Sequence, residues 1–331
     1  MDAPELTDLI SSPQIWERLD RVEKRLIEVS HSDDPFLTEI AQHGLLAGGK
    51  RFRPLLAQLA AEFGPNLDNR AIDAGASVEL IHLGSLYHDD VIDEAITRRG
   101  AASVNSNWSN TIAILAGDFL MARASEVAAS TLGQEAVRLL AHTYAELVEG
   151  QTLELQVDHN LNHGPAEYYR IIGGKTASLI RTSARLGAMA SDAPAEVVEA
   201  VSTWAWELGM VFQITDDALD LVATDGYLGK PAGSDIGEGK FTLPVLFALE
   251  GPEGPRISEL LSVPPPYPEE AVAEVIDLVR SGGYVDRALA EAATRVGTAK
   301  EAIAALADGE AKDVLGRLGT YLLSRVTAAR D

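Results

Sequence analysis

Two copies of the pattern Asp-Asp-x-x-Asp lie inside long apolar segments, and they limit what this chain can fold into. The six residues are Asp89, Asp90, Asp93, Asp216, Asp217 and Asp220. On a helix, residues i and i+4 share a face, so Asp89/Asp93 and Asp216/Asp220 each form a carboxylate pair. Two like charges about 4 Å apart in a partly buried cleft repel by roughly 4 kcal/mol. We therefore predict that cations occupy both clusters in the folded protein.

The chemistry of these clusters favours Mg²⁺ as the cation. The segments offer oxygen ligands without cysteine, which suits a hard ion. Mg²⁺ binds one or two carboxylates and completes its shell with water and substrate phosphates, so we expect a diphosphate held between two acidic helices. The alternative is a solvated helix face, but such a face would alternate with other polar residues, and these segments do not.

The overall composition excludes several classes of protein. The chain has 331 residues, 46% of them hydrophobic, which is ample for a globular core. A net charge of −23 argues against nucleic-acid binding, and the absence of cysteine excludes disulfides and thiolate sites. The N-terminus resembles no signal peptide and no apolar run is long enough to cross a bilayer, so we expect a cytoplasmic protein.

Helical periodicity dominates the chain, with apolar residues at i, i+3, i+4 and i+7 and no convincing β-hairpin signal. We predict one all-α domain over 1–331, with the motifs within about 40–250 and C-terminal helices at about 269–330 packed on that core. Breaks between helices are expected at 48–54, 97–107, 159–165, 225–239 and 251–255.

Basic residues accompany each acidic cluster and could bind an anion. Gly-Gly-Lys precedes the first cluster and recurs before the second, and a glycine-rich loop at 225–239, long enough to act as a lid, follows the second. The basic residues are Lys50, Arg53, Arg98, Arg99, Lys175, Lys230 and Lys240. Alternatives remain open, because a Gly-Gly turn can carry solvated cations and the arginine pair can simply neutralise the aspartates. His82 and Gln213, on the same helical faces as the aspartates, are either ligands or satisfied core residues.

The chemistry most compatible with these groups is ionisation of a diphosphate ester. The chain has no Gly-x-Ser-x-Gly, no phosphate-loop sequence of the Walker type and no dinucleotide glycine fingerprint. Metal ions and cations would stabilise negative charge that develops on a departing pyrophosphate. The resulting carbocation needs a dry apolar cavity and a nearby alkene.

The ordered segments GGKRFRP, ELIHLGSLYHDDVIDEAITRRG, LAGDFLMARA, GGKTASLI, FQITDDALD and GKPAGSDIGEGKFTLP resemble those of the trans-polyprenyl (isoprenyl) diphosphate synthases, long-chain type. The resemblance covers roughly residues 40–250. It implies a Mg²⁺-dependent prenyltransferase that condenses isopentenyl diphosphate with an allylic diphosphate, and a bundle of antiparallel helices around a deep apolar cavity. It also implies a homodimer, and peripheral membrane contact for product release is a further hypothesis. The clearest departure is Ala101-Ala102, where we see no chemical role at stake.

The resemblance assigns roles to individual residues. The two aspartate clusters bind the Mg²⁺ that holds the allylic diphosphate. Isopentenyl diphosphate is bound by Lys50, Arg53, His82 and Arg99. The allylic diphosphate is contacted by Arg98, Lys175, Thr176, Gln213, Lys230 and Lys240, and Lys175 and Lys240 are counted with the aspartates as catalytic. The departing pyrophosphate accepts the proton, which agrees with the lack of an obvious protein base.

Product length is predicted from Gly84 and Ser85, which precede the first cluster by about one helical turn. Short-chain members of the family place bulky aromatics there, so small residues predict a long polyprenyl chain, for example a quinone side chain. The alternative is that both are small because another helix packs closely and that a deeper floor gives a geranylgeranyl product. Two other functions fit the intact motifs less well. A terpene cyclase typically replaces the second aspartate motif, and a non-catalytic subunit typically loses aspartates or the arginine pair.

Overall fold

The computed structural model describes residues 6–223 and 232–330, and the fold is all-α, as predicted. A 3₁₀ helix at Leu6–Leu9 opens the described chain. The α-helices are α1 (Pro13–Val29), α2 (Pro35–Leu46), α3 (Phe52–Ala61), α4 (Asn69–Ile92), α5 (Val104–Asn107), α6 (Asn110–Val127), α7 (Gln134–Val157), α8 (Pro165–Ile172), α9 (Ser178–Ala190), α10 (Ala195–Val222), α11 (Ser234–Gly237), α12 (Leu243–Leu249), α13 (Gly254–Leu260), α14 (Glu269–Ser281), α15 (Tyr284–Ala302) and α16 (Glu310–Arg330). Two π-helical turns, Ala128–Leu132 and Gly173–Ala177, follow α6 and α8.

The chain divides into two compact units. The first unit comprises Ser12–Ala145 and Leu179–Ser202, and it contains the first acidic cluster. The second unit comprises the described parts of Met1–Ser11, Glu146–Ser178 and Thr203–Asp331, and it contains the second cluster. A single domain over 1–331 stays a prediction.

Helix α4 forms the core of the first unit. It packs against α1, α3 and α6, and every residue from Ala71 to Ile81 is buried. The segment is rich in Ala, Gly and Ser, so neighbouring helices approach it from all sides, as is typical of a fully buried helix. This packing fixes the C-terminal end of α4, where the first acidic cluster begins.

A short β-hairpin follows α4, although the sequence carries no convincing signal for one. Strands β1 (Thr97–Arg98) and β2 (Ala101–Ala102) pair in antiparallel register. Arg99 and Gly100 form the turn with φ of +55° and +77°, as in the mirror-image turns that favour two-residue hairpins. Strands of two residues are too short to show the alternation by which a sequence indicates a strand.

The C-terminal part of the second unit consists of helices α14, α15 and α16. Helix α15 packs against α12 and α16, and the Arg287 guanidinium lies 3.8 Å from the centre of the Phe247 ring. Trp204, 1% exposed, donates from its indole nitrogen to the carbonyl of Leu315 over 3.2 Å. None of the helices in residues 6–223 and 232–330 has the length and apolar character required to span a bilayer.

Candidate active site

The first acidic cluster lies at the C-terminal end of α4. Asp90 is 1% exposed, whereas Asp89 is half-buried and Asp93 is exposed. Asp93 caps the helix, and its N–H donates to the Asp89 carbonyl over 2.8 Å. Burial raises the pKa of Asp90, and the Arg98 guanidinium opposes that rise. The cluster therefore has one buried carboxylate and two that solvent can reach.

The hairpin brings Arg98 back to this cluster. Its Nε and Nη2 donate to Asp90 Oδ1 over 2.8 and 2.5 Å. Asn105 supports the same turn by donating to the Asp90 carbonyl over 3.1 Å. Arg98 thus neutralises an aspartate in this state, which is the alternative left open by the sequence. Its contact with an allylic diphosphate stays a prediction.

The first Gly-Gly-Lys segment forms the basic loop, which we define as residues 48–53. Lys50 is exposed, and Arg51, the N-cap residue before α3, lies in the left-handed region with φ of +46°. Arg51 donates to both carboxylate oxygens of Glu23 and to the carbonyls of Leu45 and Gly48. The neighbouring Arg99, whose Nη1 also donates to the Gly48 carbonyl, links the hairpin to this loop.

Arg53 and His82 lie in the same environment, but burial leaves Arg53 charged and His82 neutral. Burial lowers the pKa of Arg53 to about 10, so its guanidinium remains charged at neutral pH. Burial, with Arg53, Arg99, Arg98 and Arg51 adding to it, lowers the pKa of His82 well below 6.5, so the imidazole is neutral. The sequence grouped Arg53 and His82 as ligands of one anion. The structure brings them together, and it makes His82 a hydrogen-bonding group rather than a cation.

Sequence reasoning missed Glu79, which lies one turn before His82 on α4. It is 2% exposed, and its Oε1 lies 3.6 Å from Arg51 Nη1. Arg53, Arg51 and Arg99 all oppose the rise in the pKa of Glu79 that burial causes. A lone glutamate in an apolar helix carries no motif, so only its i−3 spacing from His82 could have indicated it.

The second acidic cluster lies near the C-terminal end of α10. Asp216 is exposed, whereas Asp217 and Asp220 are 5% and 4% exposed. Asp220 accepts hydrogen bonds from the Ser234 hydroxyl over 2.9 Å and from the Asp235 N–H over 3.3 Å. This cluster too therefore combines buried carboxylates with one that solvent can reach.

Neutral groups hold Asp217. The Tyr168 hydroxyl donates to its Oδ2 over 2.5 Å, and Gln213 Nε2 donates to its Oδ1 over 2.8 Å. Burial, with the charge of Asp235 adding to it, raises the pKa of Asp217 well above its usual range. Tyr168 was not among the residues singled out from the sequence, because a tyrosine 49 positions away gives no local signal.

The second Gly-Gly-Lys segment contributes Thr176 and Lys175. Thr176 Oγ1 donates to Gln213 Oε1 over 2.8 Å, so Gln213 links Thr176 to Asp217. Lys175 Nζ is paired with Glu154, and it emerges from a π-helical turn of the kind often found at functional sites. Lys240 Nζ lies 3.0 Å from Glu238 Oε2. Lys230 lies outside the described residues.

The two positions assigned to product length differ in their surroundings. A Cβ on Gly84 would stand 3.0 Å from the carbonyl of Gly117 and 3.0 Å from Met121 Cε, both on α6. The close packing of α6 therefore explains why residue 84 is small. This supports the alternative interpretation of Gly84, in which its size reflects helix packing rather than product length. Ser85 is half-buried and donates to the His82 carbonyl over 2.8 Å. Tyr87 points to α2, where its hydroxyl donates to the Ile40 carbonyl over 3.0 Å.

The donor set of both clusters fits a hard divalent cation. Asp89, Asp93 and Asp216 place carboxylates where a hydrated ion could reach them. Within residues 6–223 and 232–330, no three acidic or histidine side chains converge into a ready-made metal site. That arrangement suits an ion that uses one or two carboxylates and takes its other ligands from water and phosphate.

Comparison with a family model described as "Polyprenyl synthetase" gives a match over residues 34–279. The chain is 40% identical over 324 residues to a nonaprenyl diphosphate synthase of Mycobacterium tuberculosis, covering 97% of this chain and 96% of that protein.

Solved structures resemble the chain over nearly its whole length. A polyprenyl synthase from Caulobacter crescentus, complexed with calcium and isoprenyl diphosphate, matches with a TM-score of 0.90 and 31% identity over 98% of this chain and 99% of that one. A geranylgeranyl pyrophosphate synthase from Corynebacterium glutamicum, also complexed with calcium and isoprenyl diphosphate, matches with a TM-score of 0.84 and 38% identity over 96% and 98%.

Proposed function

Because the chain belongs to the polyprenyl synthetase family, we propose that it condenses isopentenyl diphosphate with an allylic diphosphate into a long-chain trans-polyprenyl diphosphate. It is a prenyltransferase, and its relatives include a nonaprenyl diphosphate synthase and component 2 of a heptaprenyl diphosphate synthase. The observation that carries the proposal is that acidic clusters with carboxylates within reach of solvent, which suit a metal-held diphosphate, occur together with a separate cationic set, Arg53 and Arg99, that suits a second diphosphate.

The acidic clusters would hold Mg²⁺ through Asp89, Asp93 and Asp216, with the buried Asp90, Asp217 and Asp220 behind them. When bound there, Mg²⁺ would offset the negative charge that develops on the allylic diphosphate as its C–O bond breaks. Calcium accompanies isoprenyl diphosphate in the Caulobacter relative, which supports a divalent ion.

The chain's own cations would orient the two substrates. Lys50, Arg53 and Arg99 would bind isopentenyl diphosphate, and the neutral His82 would donate a hydrogen bond to it. On the allylic side, Lys175 would leave Glu154 and Arg98 would leave Asp90 to meet phosphate oxygens, since arginine binds phosphate in a bidentate manner. Thr176, Gln213, Lys230 and Lys240 complete the proposed allylic set.

Condensation then joins the allylic carbocation to the alkene of isopentenyl diphosphate, and loss of a proton completes each cycle. The sequence carries no motif of an activated nucleophile or of an obvious protein base, so the departing pyrophosphate is our candidate for the proton acceptor. Product release to a membrane surface and use of the product as a quinone side chain belong to the same proposal, as does a cytoplasmic location.

The test is an assay of purified protein with isopentenyl diphosphate, an allylic primer and Mg²⁺, with products separated by length. We expect a long-chain product whose formation stops when the metal is chelated. Asp89→Ala and Asp216→Ala should lower turnover by orders of magnitude without unfolding the protein, whereas the exposed Asp20→Ala should not. Near-normal turnover in both cluster variants would contradict the proposed roles, and a cyclic product would indicate a terpene cyclase.

A geranylgeranyl product is the second candidate. The close approach of α6 to Gly84 removes one of the two arguments for an open cavity floor. The nonaprenyl and heptaprenyl relatives favour the longer product, so we retain the long-chain synthase as the conclusion.

A further inference from the structure

A single buried carboxylate lies among the cations of the basic loop. Glu79 is 2% exposed and lies 3.6 Å from Arg51 Nη1. Its Oε2 is buried and has no hydrogen-bond partner among the described residues. The same holds for Nε of Arg53. The Glu79 carboxylate and the Arg53 guanidinium thus attract each other without forming a bidentate pair.

A second acid, Glu23, pairs with Arg51 of the same loop. Glu23 accepts from both Nε and Nη2 of Arg51, and its side chain is 41% exposed, so solvent screens much of its charge. Glu79 is screened far less because it is buried. The described contacts therefore make Glu79 the principal negative charge that Arg53 and Arg99 experience inside the site.

The backbone of the basic loop keeps these cations close together. Gly49 has φ of +144°, and a Cβ there would stand 2.5 Å from Arg99 Nη1 and 2.7 Å from Arg51 Nη1. Arg51 and Arg99 both donate to the Gly48 carbonyl. Guanidinium groups this close repel each other, and a fixed negative charge behind them lowers the cost of that repulsion.

We propose that Glu79 is a positioning residue that acts as a built-in counter-ion, weakening the hold of Arg53 and Arg99 on a diphosphate so that the diphosphate can leave after each condensation. This inference rests on the proposed function, in which the diphosphate of isopentenyl diphosphate becomes that of the elongated product. Further elongation requires that this group leave the basic loop and return as the allylic diphosphate. A cluster of cations without Glu79 would bind the first diphosphate more tightly and release it more slowly.

Calorimetric titration of the full-length protein with isopentenyl diphosphate, without allylic substrate, tests this inference. Glu79→Gln keeps the size of the side chain and removes its charge. We expect it to bind isopentenyl diphosphate about tenfold more tightly than the wild type, as removal of one weakly screened charge predicts. Inorganic pyrophosphate without metal serves as a second probe, and the same direction is expected.

Two matched variants separate charge from packing. Glu79→Asp retains the charge and should bind nearly as the wild type does. Asp73→Asn removes another buried carboxylate of α4, one that pairs with Arg25 and not with a residue of the basic loop, and should leave the affinity unchanged. Thermal unfolding of all three variants reports any loss of fold.

A kinetic readout completes the test, because a merely structural role would weaken binding and lower all rates together. For Glu79→Gln we expect a lower KM for isopentenyl diphosphate, a lower kcat and shorter products. Unchanged or weaker binding by a folded Glu79→Gln would overturn the inference. Failure of the wild type to bind isopentenyl diphosphate would instead refute the proposed function.

Discussion

His82 and Arg53 show how burial changes what a basic side chain can do. Both face the same cluster of guanidinium groups, yet the pKa of Arg53 falls only to about 10, whereas that of His82 falls well below 6.5. At neutral pH the arginine supplies charge and the histidine supplies a directional hydrogen bond. A bound anion would thereby meet both a charge and a directional hydrogen bond, without another cation in a crowded cluster.

The neutral state of His82 makes stability depend on pH in a defined direction. Below pH 6.5 the unfolded chain takes up a proton on His82 that the folded chain does not, so stability falls as pH falls. The loss is up to about 1.4 kcal/mol per pH unit until the folded-state pKa is reached. We expect His82→Gln to lack this loss. Denaturant unfolding at pH 7.5 and 5.0 measures it, and equal pH dependence in both proteins would contradict the lowered pKa.

Sequence reasoning finds a functional residue at this scale only when the residue belongs to a recognisable motif. The aspartates stand out because three carboxylates in an apolar helix need a physical explanation. Glu79 and Tyr168 do not stand out, since one glutamate and one tyrosine fit many surroundings. Their positions depend on tertiary packing, which places Tyr168 on Asp217 and Glu79 beside Arg51.

At the scale of elements, helices α4 and α6 approach each other closely at a pair of glycines, Gly84 and Gly117. A Cβ on Gly84 would lie 3.0 Å from the Gly117 carbonyl, and a Cβ on Gly117 would lie 3.0 Å from the Gly84 carbonyl. Small residues at such a crossing let two helix backbones meet. The pair therefore fixes where α4 lies relative to α6.

Gly84→Ala should destabilise the protein, because overpacking at this crossing costs about 1–3 kcal/mol and exceeds the gain in helix propensity. The matched control is Gly297→Ala on α15, where a Cβ meets nothing within 4 Å. That change should stabilise the protein by about 0.5–1 kcal/mol. Urea unfolding of both variants gives the comparison. Equal stabilisation by the two substitutions would show that α6 yields readily at Gly84.

Ser85 remains the position at which product length can be tested. We expect Ser85→Phe to shorten the product, because a bulky ring one turn before Asp89 would block the growing chain. Ser85→Ala is the control and should keep the wild-type profile. An unchanged long product from Ser85→Phe would show that the chain runs elsewhere, and a wild-type product of farnesyl length would refute the open floor.

Helices were predictable here because their period repeats over many residues, as in α1 and α10. The hairpin at 97–102 was not, since its strands pair only two residues each and its turn depends on positive φ at Arg99. The π-helical turn at Gly173–Ala177 also has no sequence period of its own. Short irregular elements are set by their packing, and this is where several proposed ligands lie.

For the whole molecule, the exposed apolar residues of α6 support a homodimer, which we propose. Ile114 and Leu115 are 43% and 55% exposed on a helix whose opposite side is buried in the first unit. On α7, Val148 and Leu155 are 48% and 51% exposed at i and i+7 spacing. A second copy of the chain covering either helix would remove this apolar surface from water.

We expect light scattering to give the mass of two chains for the wild type and of one chain for Leu115→Glu, because a charge in an apolar interface leaves an unpaired buried group. Leu67→Glu is the matched control, since Leu67 is 44% exposed and lies in the loop before α4. That variant should remain dimeric. A dimeric Leu115→Glu would place the interface elsewhere.

Because the hairpin turn has only two residues, the number of residues between β1 and β2 determines where Arg98 and Arg99 point. Arg98 and Arg99 are adjacent, yet one reaches Asp90 and the other reaches Gly48. Insertion of one residue between Thr97 and Ala102 would change the turn type. Either Arg98 would lose its contact with Asp90 or Arg99 would lose its contact with Gly48, depending on the position of the insertion. Substitutions of Ala101 or Ala102 leave that spacing intact. Natural variation in the hairpin should therefore consist of exchanges of residue type rather than of insertions or deletions.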